Sequence, residues 1–327
     1  MISGGASVEF IDKNKQIKNN AKQVGVILYS LIRTIIVLGV CYYVLFPILQ
    51  SVFQAFMARR DLYDSTVDLI PKNWTLDNFR IIFDAVNVPK ATLNTALISL
   101  AVTVTQLASC TLVGYGFARY DFPFKKLLFG LVIFTLIVPV QTIVVPLYLN
   151  FRFFDILGII RLFGGEGINV LNTAWPFVIL GITAMGFRNG LYIFLIRQFY
   201  RNVPKELEEA AMIDGAGFFK TFYRIMLPGA KPILSVVAIL SFVWQWTDYF
   251  YSGWFASNIS VLSNEISAVS TNLNVIKNIL GVSAIEDSYK LVLNSTGALV
   301  IMIPIIILYL FTQRTFVESI ERGGIVG

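Results

Sequence analysis

Residues 291–313 read LVLNSTGALVIMIPIIILYLFTQ, a run from Leu291 to Gln313 without one charged side chain. A bilayer core about 30 Å thick is crossed by about 20 helical residues at 1.5 Å rise each, so this run can span a membrane as one helix. Four more uncharged runs of this kind occur, Thr34–Ala58, Ala91–Ala118, Leu127–Phe151 and Gly167–Phe187. A sixth begins at Pro232 and passes Trp254, interrupted only by Asp248. Backbone polar groups in lipid must be satisfied within the segment, so such runs are helices. The expected fold class is an all-α integral membrane protein with six transmembrane helices, at 34–58, 91–118, 127–151, 170–196, 232–257 and 291–313. An even number of spans places both termini on one side.

The composition agrees. Of 327 residues, 56% are hydrophobic and 14% charged, against roughly 25% charged in an ordinary soluble domain. Histidine is absent, and the only cysteines, Cys41 and Cys110, lie inside uncharged runs. That inventory excludes the common His/Cys zinc sites, a Ser-His-Asp triad and a disulfide framework; the thiols read as small helix-packing residues. No cofactor or metal is expected. The net charge of +6 comes from basic residues beside hydrophobic runs, which fits anionic lipid headgroups and not nucleic acid.

Cationic segments resist translocation, so the distribution of Lys and Arg sets orientation. Lys13, Lys15, Lys18, Lys22 and Arg33 precede the first span, and the alternate loops add Arg119, Lys125, Lys126, Arg197, Arg201, Lys205, Lys220, Arg224 and Lys231 to the same side. This side is expected to be cytoplasmic, with both termini there, in segments 1–33 and 314–327. Arg59 and Arg60, directly after the first span, run against the trend. About thirty polar or mixed residues precede that span, which is longer than a signal-peptide core, so it is expected to remain as a helix.

Two extracytoplasmic loops are expected, 59–90 and 258–290. In the first, Phe79, Ile82, Phe83 and Val86 recur at helical spacing and predict a short amphipathic helix lying on the membrane or a partner. In the second, Ile266, Val269 and Leu273 are loosely helical, and a solvated connector is the alternative.

Between the fourth and fifth spans, in segment 197–231, lies PKELEEAAMIDG, Pro204–Gly215. Proline suits a first helical turn, Glu206, Glu208 and Glu209 complement the helix dipole, and Gly215 is placed to end the helix in a left-handed conformation. Ala210 and Ala211 remove bulk, so another surface could approach the backbone closely. A second helix is expected from Phe218 to Met226, stopped near Leu227-Pro228. The pair reads as a helix-turn-helix docking element beneath the membrane, the plainer alternative being interfacial helices without a partner.

The spaced residues Glu209, Ala210, Ala211, Gly215, Ile225, Leu227 and Pro228 match without a gap the EAA motif of permease subunits of ATP-binding-cassette (ABC) importers. Further stretches in family order are Pro71–Phe79, Asn94-Thr95, Leu195–Phe199, Trp246–Tyr249 and Gln313–Phe316, so the chain resembles the carbohydrate-importing, maltose-permease (MetI/MalG-like) branch over roughly 71–322. Thr247 stands where that family usually has Asn, and the tail 323–327 lacks its frequent lysine. The resemblance implies a carbohydrate permease whose partners are ABC ATPase subunits, a second homologous permease, an extracytoplasmic solute-binding protein and the lipid bilayer. It also implies that the seven motif residues couple to the ATPase, Glu209 as polar anchor, the alanines for close approach and Gly215 for the turn. The chain has no G-x-x-x-x-G-K-[ST] phosphate loop, so hydrolysis is expected on separate subunits. Two other classes compete, an ion-coupled secondary carrier and a non-transporting scaffold; the first would need intramembrane acids and a repeat of spans, of which only Asp248 is found.

Ionisable groups inside a membrane cost roughly 2.5 to 3.5 kcal/mol at a helix centre and usually face protein or water. Asp248 stands among Trp244, Trp246 and Tyr249, a set suited to sugar hydroxyls and ring faces; it reads equally as a carboxylate in the outer aromatic belt. Arg188 marks either a break in the fourth span or a side chain snorkelling to the interface, and an Arg188–Asp248 pair is a further expectation. Pro47, Pro139, Pro146, Pro176 and Pro304 can bend spans where neighbouring helices satisfy the freed carbonyls.

Overall fold

A computed structural model describes residues 5–271 and 273–324, and the described residues contain helices and turns but no strand. The chain divides into two compact units, Met1–Thr75 and Leu76–Gly327.

The first unit is dominated by α1, Gly5–Ala55, with Pro47 inside it. From Val26 to Leu49 its large apolar side chains are mostly exposed, as expected of a surface meant for lipid or another apolar partner. Below it a short turn, Arg59–Tyr63, is held by Asp61, whose carboxylate accepts from the Asn73 backbone (2.8 Å) and side-chain amide. Trp74 packs edge-on to Phe53 at 6.0 Å. Burial works to raise the Asp61 carboxyl, but the Asn73 bonds outweigh it and hold the group below the usual carboxylate range. Asp64 is likewise held low, by bonds from Lys72 and Thr66.

The second unit is organised around α3, Val88–Arg119, preceded by α2, Asp77–Ala85. There follow α4 (Lys125–Phe134), α5 (Val140–Arg152), the single turn α6 (Ile159–Leu162), α7 (Trp175–Ile182) and α8 (Asn189–Asn202). Then come α9 (Glu206–Ile213), α10 (Phe218–Thr221), a π-helical turn at Phe222–Met226, α11 (Leu227–Gly229) and α12 (Lys231–Trp246). The chain ends through α13 (Phe250–Phe255), α14 (Leu262–Thr271), α15 (Leu273–Leu280) and α16 (Asp287–Gly324). Helix α3 packs against α7, α8, α12 and α14, and α12 packs in turn on α16. At Gly114 a Cβ would lie 2.8 Å from Ile196 Cγ2, so the absence of a side chain is what lets α3 and α8 meet so closely. The outer stripe of α3, Leu93, Leu97, Leu100 and Val104, is exposed.

Among the described residues, three helices, Gly25–Ala55, Val88–Arg119 and Asp287–Gln313, are long and apolar enough to cross a membrane, or up to four if the pair Phe218–Gly229 and Lys231–Trp246, bent by 72°, is one span. The other expected spans are not continuous helices. Run 127–151 is broken between α4 and α5, where Pro139 lacks an N–H and disfavours helix in the residue before it. Segment 170–196 is broken between α7 and α8, where Ala184 (φ 57°) and Arg188 (φ 61°) turn left-handed. Segment 232–257 breaks after Trp246 and resumes as α13.

Two loop expectations change. The expected short helix forms as α2, and of its expected apolar face Ile82 and Val86 are buried; Phe83 is exposed while Asn78 and Ile81 are buried, so the side resting on α15 and α16 is turned slightly from the one read in sequence. Segment 258–290 is no solvated connector: Val261, Leu262, Ile266 and Ile276 are buried, and the Leu262 N–H donates to Thr95 Oγ1 at 2.9 Å. Cys110 is buried in the core as expected, whereas Cys41 is exposed.

Candidate functional site: the loop between α8 and α12

The loop begins where Val203 ends α8 in extended conformation (ψ 130°), ahead of Pro204. Helix α9 carries Glu206, Glu208 and Glu209 in its first turn. At its far end the Ala216 N–H donates to Ala211 O (2.9 Å) and the Gly215 N–H to Met212 O (3.0 Å), a Schellman arrangement. Gly215 sits at φ 75°, and a Cβ there would meet nothing within 4 Å, so backbone conformation alone requires glycine. Beyond Gly217 the second helix does not stop at Leu227-Pro228. It runs through the π turn into α11, because proline is tolerated in a helical first turn, and the bend falls at Ala230.

The motif residues divide by exposure. Glu209, Ala210, Gly215, Ile225 and Pro228 are exposed, Leu227 is half-buried and Ala211 is buried within the loop's own packing. The expected pair of open alanines is therefore one open alanine, Ala210. Beside it the loop exposes Leu207, Met212, Ile213, Phe219 and Tyr223.

Residues the sequence reading passed over hold the loop from within. Tyr115 Oη donates to Glu208 Oε1 at 3.1 Å. Arg119 Nε lies 3.0 Å from the same oxygen, an ion-pair approach without hydrogen-bond alignment, and Arg119 Nη2 donates to Val203 O at 2.8 Å. The Tyr115 ring is collared by Tyr200 (5.1 Å) and Phe222 (4.9 Å) between centroids. Burial, with the negative charge of Glu208 adding to it, pushes the Tyr200 hydroxyl up to about 12. The one sequence signal was that Arg119 is the first charge after the uncharged run of α3.

The expected substrate-path residues come together only in part, as the pair Arg188 and Trp244. Trp246 is buried and its indole N–H donates to Ile301 O at 3.1 Å, tying α12 to α16. Trp244 and Tyr249 are exposed. Asp248 accepts from the Tyr251 and Ser252 N–H groups (3.2 and 2.8 Å) and from Ser252 Oγ (2.7 Å), capping α13. Arg188 lies over the Trp244 ring, 3.1 Å from its centroid. Asp248 is thus engaged with α13 and Arg188 with Trp244, and among the described residues no ion pair joins the two. Nor do the described residues hold a group of three His, Cys, Asp or Glu side chains placed for a metal ion.

Apolar helices packed around one central helix, with a structured helix-turn-helix between two of them, are the architecture of a helical membrane protein. Residues 110–322 match the family described as the binding-protein-dependent transport system inner membrane component, and the chain belongs to that family. The arabinooligosaccharides transport system permease protein AraQ of Halalkalibacterium halodurans is 28% identical over 291 residues, 88% of this chain and 93% of its own. The trehalose transport system permease protein SugB of Mycobacterium tuberculosis is 32% identical, over 79% of this chain and 85% of its own. The maltodextrin transport system permease protein MdxG of Bacillus subtilis is 30% identical, over 78% and 82%. A solved chain of a bacterial ABC transporter involved in the import of the acidic polysaccharide alginate has the same fold, with TM-score 0.67 at 19% identity, covering 88% of this chain and 96% of its own.

Proposed function

We propose that this chain is one of two permease subunits of an ABC importer and forms, with a homologous partner, an alternating-access pathway for a carbohydrate. A solute-binding protein delivers the sugar outside, and ATP is hydrolysed on separate subunits inside. The sugar-named relatives support the substrate class. In this reading the chain has six spans and both termini in the cytoplasm, the third, fourth and fifth spans each being two helical pieces. Paired pieces suit a pathway, because a break near the membrane interior frees backbone groups and leaves a place to bend.

The observation that carries the reading is the loop from α9 to α11. Its outer surface offers Glu209 and Ala210 beside Ile213, Phe219 and Tyr223. An exposed apolar patch with acidic side chains beside it, on a helix ended by Gly215, is the kind of surface a soluble partner covers. Glu209, Ala210, Gly215, Ile225 and Pro228 would meet the ATPase, with Ala211 and Leu227 supporting them from behind. For the pathway, Arg188 and Trp244 form one pair of groups for a sugar, with Tyr249 near the α13 break; Asp248 and Trp246 set the shape of that break.

Vesicle uptake with the purified complex tests this. Sugar accumulation is expected only when binding protein outside and ATP inside are both supplied. Uptake driven by an ion gradient without ATP would replace this reading with a secondary carrier, and no uptake with the loop still recruiting a soluble protein would leave a scaffold.

A further inference from the structure

Glu208 and Glu209 are neighbours in sequence but differ in environment. Glu209 is exposed. The Glu208 side chain is 13% exposed and its partner Arg119 is 4% exposed. Tyr115, which donates a hydrogen bond to the Glu208 carboxylate, is 3% exposed. Arg119 also grips the other side of the connection, through the Val203 carbonyl that closes α8. One guanidinium therefore holds the end of α8 and the first turn of α9 together, from the last turn of α3.

We propose that Glu208, Arg119 and Tyr115 form a buried polar clamp that fixes the helix-turn-helix loop to the end of α3, so that loop and helix move as one lever. This rests on the reading above, that the loop receives motion from an ATPase. A charge pair withdrawn from water loses heavily if its partners separate, because each charge is then left without solvent or counter-charge. Sliding α9 along α3 by even a fraction of a turn would do that, whereas rotating both together leaves the clamp intact. The aromatic collar of Tyr115, Tyr200 and Phe222 blocks water from replacing the lost partners. Since α3 also packs along α7, α8 and α12, a push on the outer face of α9 is delivered to the centre of the bundle. The two adjacent glutamates divide the work, Glu209 facing the partner and Glu208 the lever.

The test uses the complete importer in vesicles, with sugar transported per ATP hydrolysed as the readout. In Glu208→Gln the complex should still co-purify with its ATPase, and transport per ATP should fall about fivefold or more, the loss of coupling that a broken link between sites gives. A second variant, Arg119→Cys with Glu208→Cys in a background where Cys41 and Cys110 are replaced by Ala, should show the same deficit until a short bifunctional thiosulfonate bridges the pair, and then recover. Full coupling in Glu208→Gln, loss of the ATPase from that variant, or a bridge that fails to restore transport would each overturn the clamp. Crosslinking from Ala210→Cys with the clamp intact reports on ATPase docking alone. Failure to capture a nucleotide hydrolase there defeats the docking reading, whereas capture alongside a fully coupled Glu208→Gln defeats only the clamp.

Discussion

Gly215 illustrates how much one residue can specify. Its φ of 75° lies where a side chain clashes with its own backbone, at about 1–2 kcal/mol, and no neighbouring atom would obstruct the side chain itself. Gly215→Val should therefore disturb the direction of the loop and leave insertion intact: membrane content unchanged, ATP-driven uptake reduced several-fold, with Gly215→Asn in between because Asn tolerates this conformation. Asp248 is separable in the same way. If its work is capping α13, Asp248→Ala should leave the transport KM within about twofold and lower thermal stability in detergent by roughly 0.5–2 kcal/mol; a large rise in KM at unchanged stability would place it on the sugar instead. The glycine was legible because a helix end needs a left-handed residue and only certain side chains provide it. Glu208 was not, because successive residues on a helix point about 100° apart and only the position of α3 decides which glutamate turns inward.

Among the elements, interruptions matter as much as helices. The breaks at 135–139, 183–188 and 247–249 fall inside runs that are uncharged but for Arg188 and Asp248, so composition reads each run as one span while the backbone makes two pieces. Pro139 is a visible cause, and Arg188 stands at the break in the fourth span that its charge inside an apolar run suggested; the left-handed Ala184 has no such signal. The Arg59–Tyr63 turn is a different kind of element, stapled by one carboxylate. Because Asp61 titrates below its ordinary range when folded, its contribution is complete above the unfolded carboxyl value of about 3.9 and is lost as pH falls through the lower folded value. The emission of Trp74, in a variant whose other tryptophans are replaced by Phe, should accordingly hold steady above about pH 4 and shift below it. In Asp61→Asn that shift should be absent.

For the whole molecule, the decisive property is which loops share a side. The reading from charge puts the α9–α11 loop inside and the α5–α7 connection outside. In a background without Cys41 and Cys110, Leu162→Cys (81% exposed) should react in intact cells with a membrane-impermeant maleimide, and Ile213→Cys (86% exposed) only after the membrane is opened. The reverse pattern would invert the molecule and remove the ATPase from reach of the loop. Helix α1, apolar and exposed along 26–49, should be labelled by a photoactivatable lipid analogue over that stretch.

Hydropathy and charge, which act through the solvent and need no neighbour, were enough to establish a helical membrane protein and an expected orientation. The spacing from Glu209 to Pro228 likewise marked the loop, since turn chemistry is written in consecutive residues. What the chain could not disclose alone is which side of each helix is covered. The inward turn of Ala211 and Glu208, the separation of Trp244 from Trp246 and the burial of Val261, Leu262, Ile266 and Ile276 depend on distant segments closing on them, and only the packing around α3 decided those.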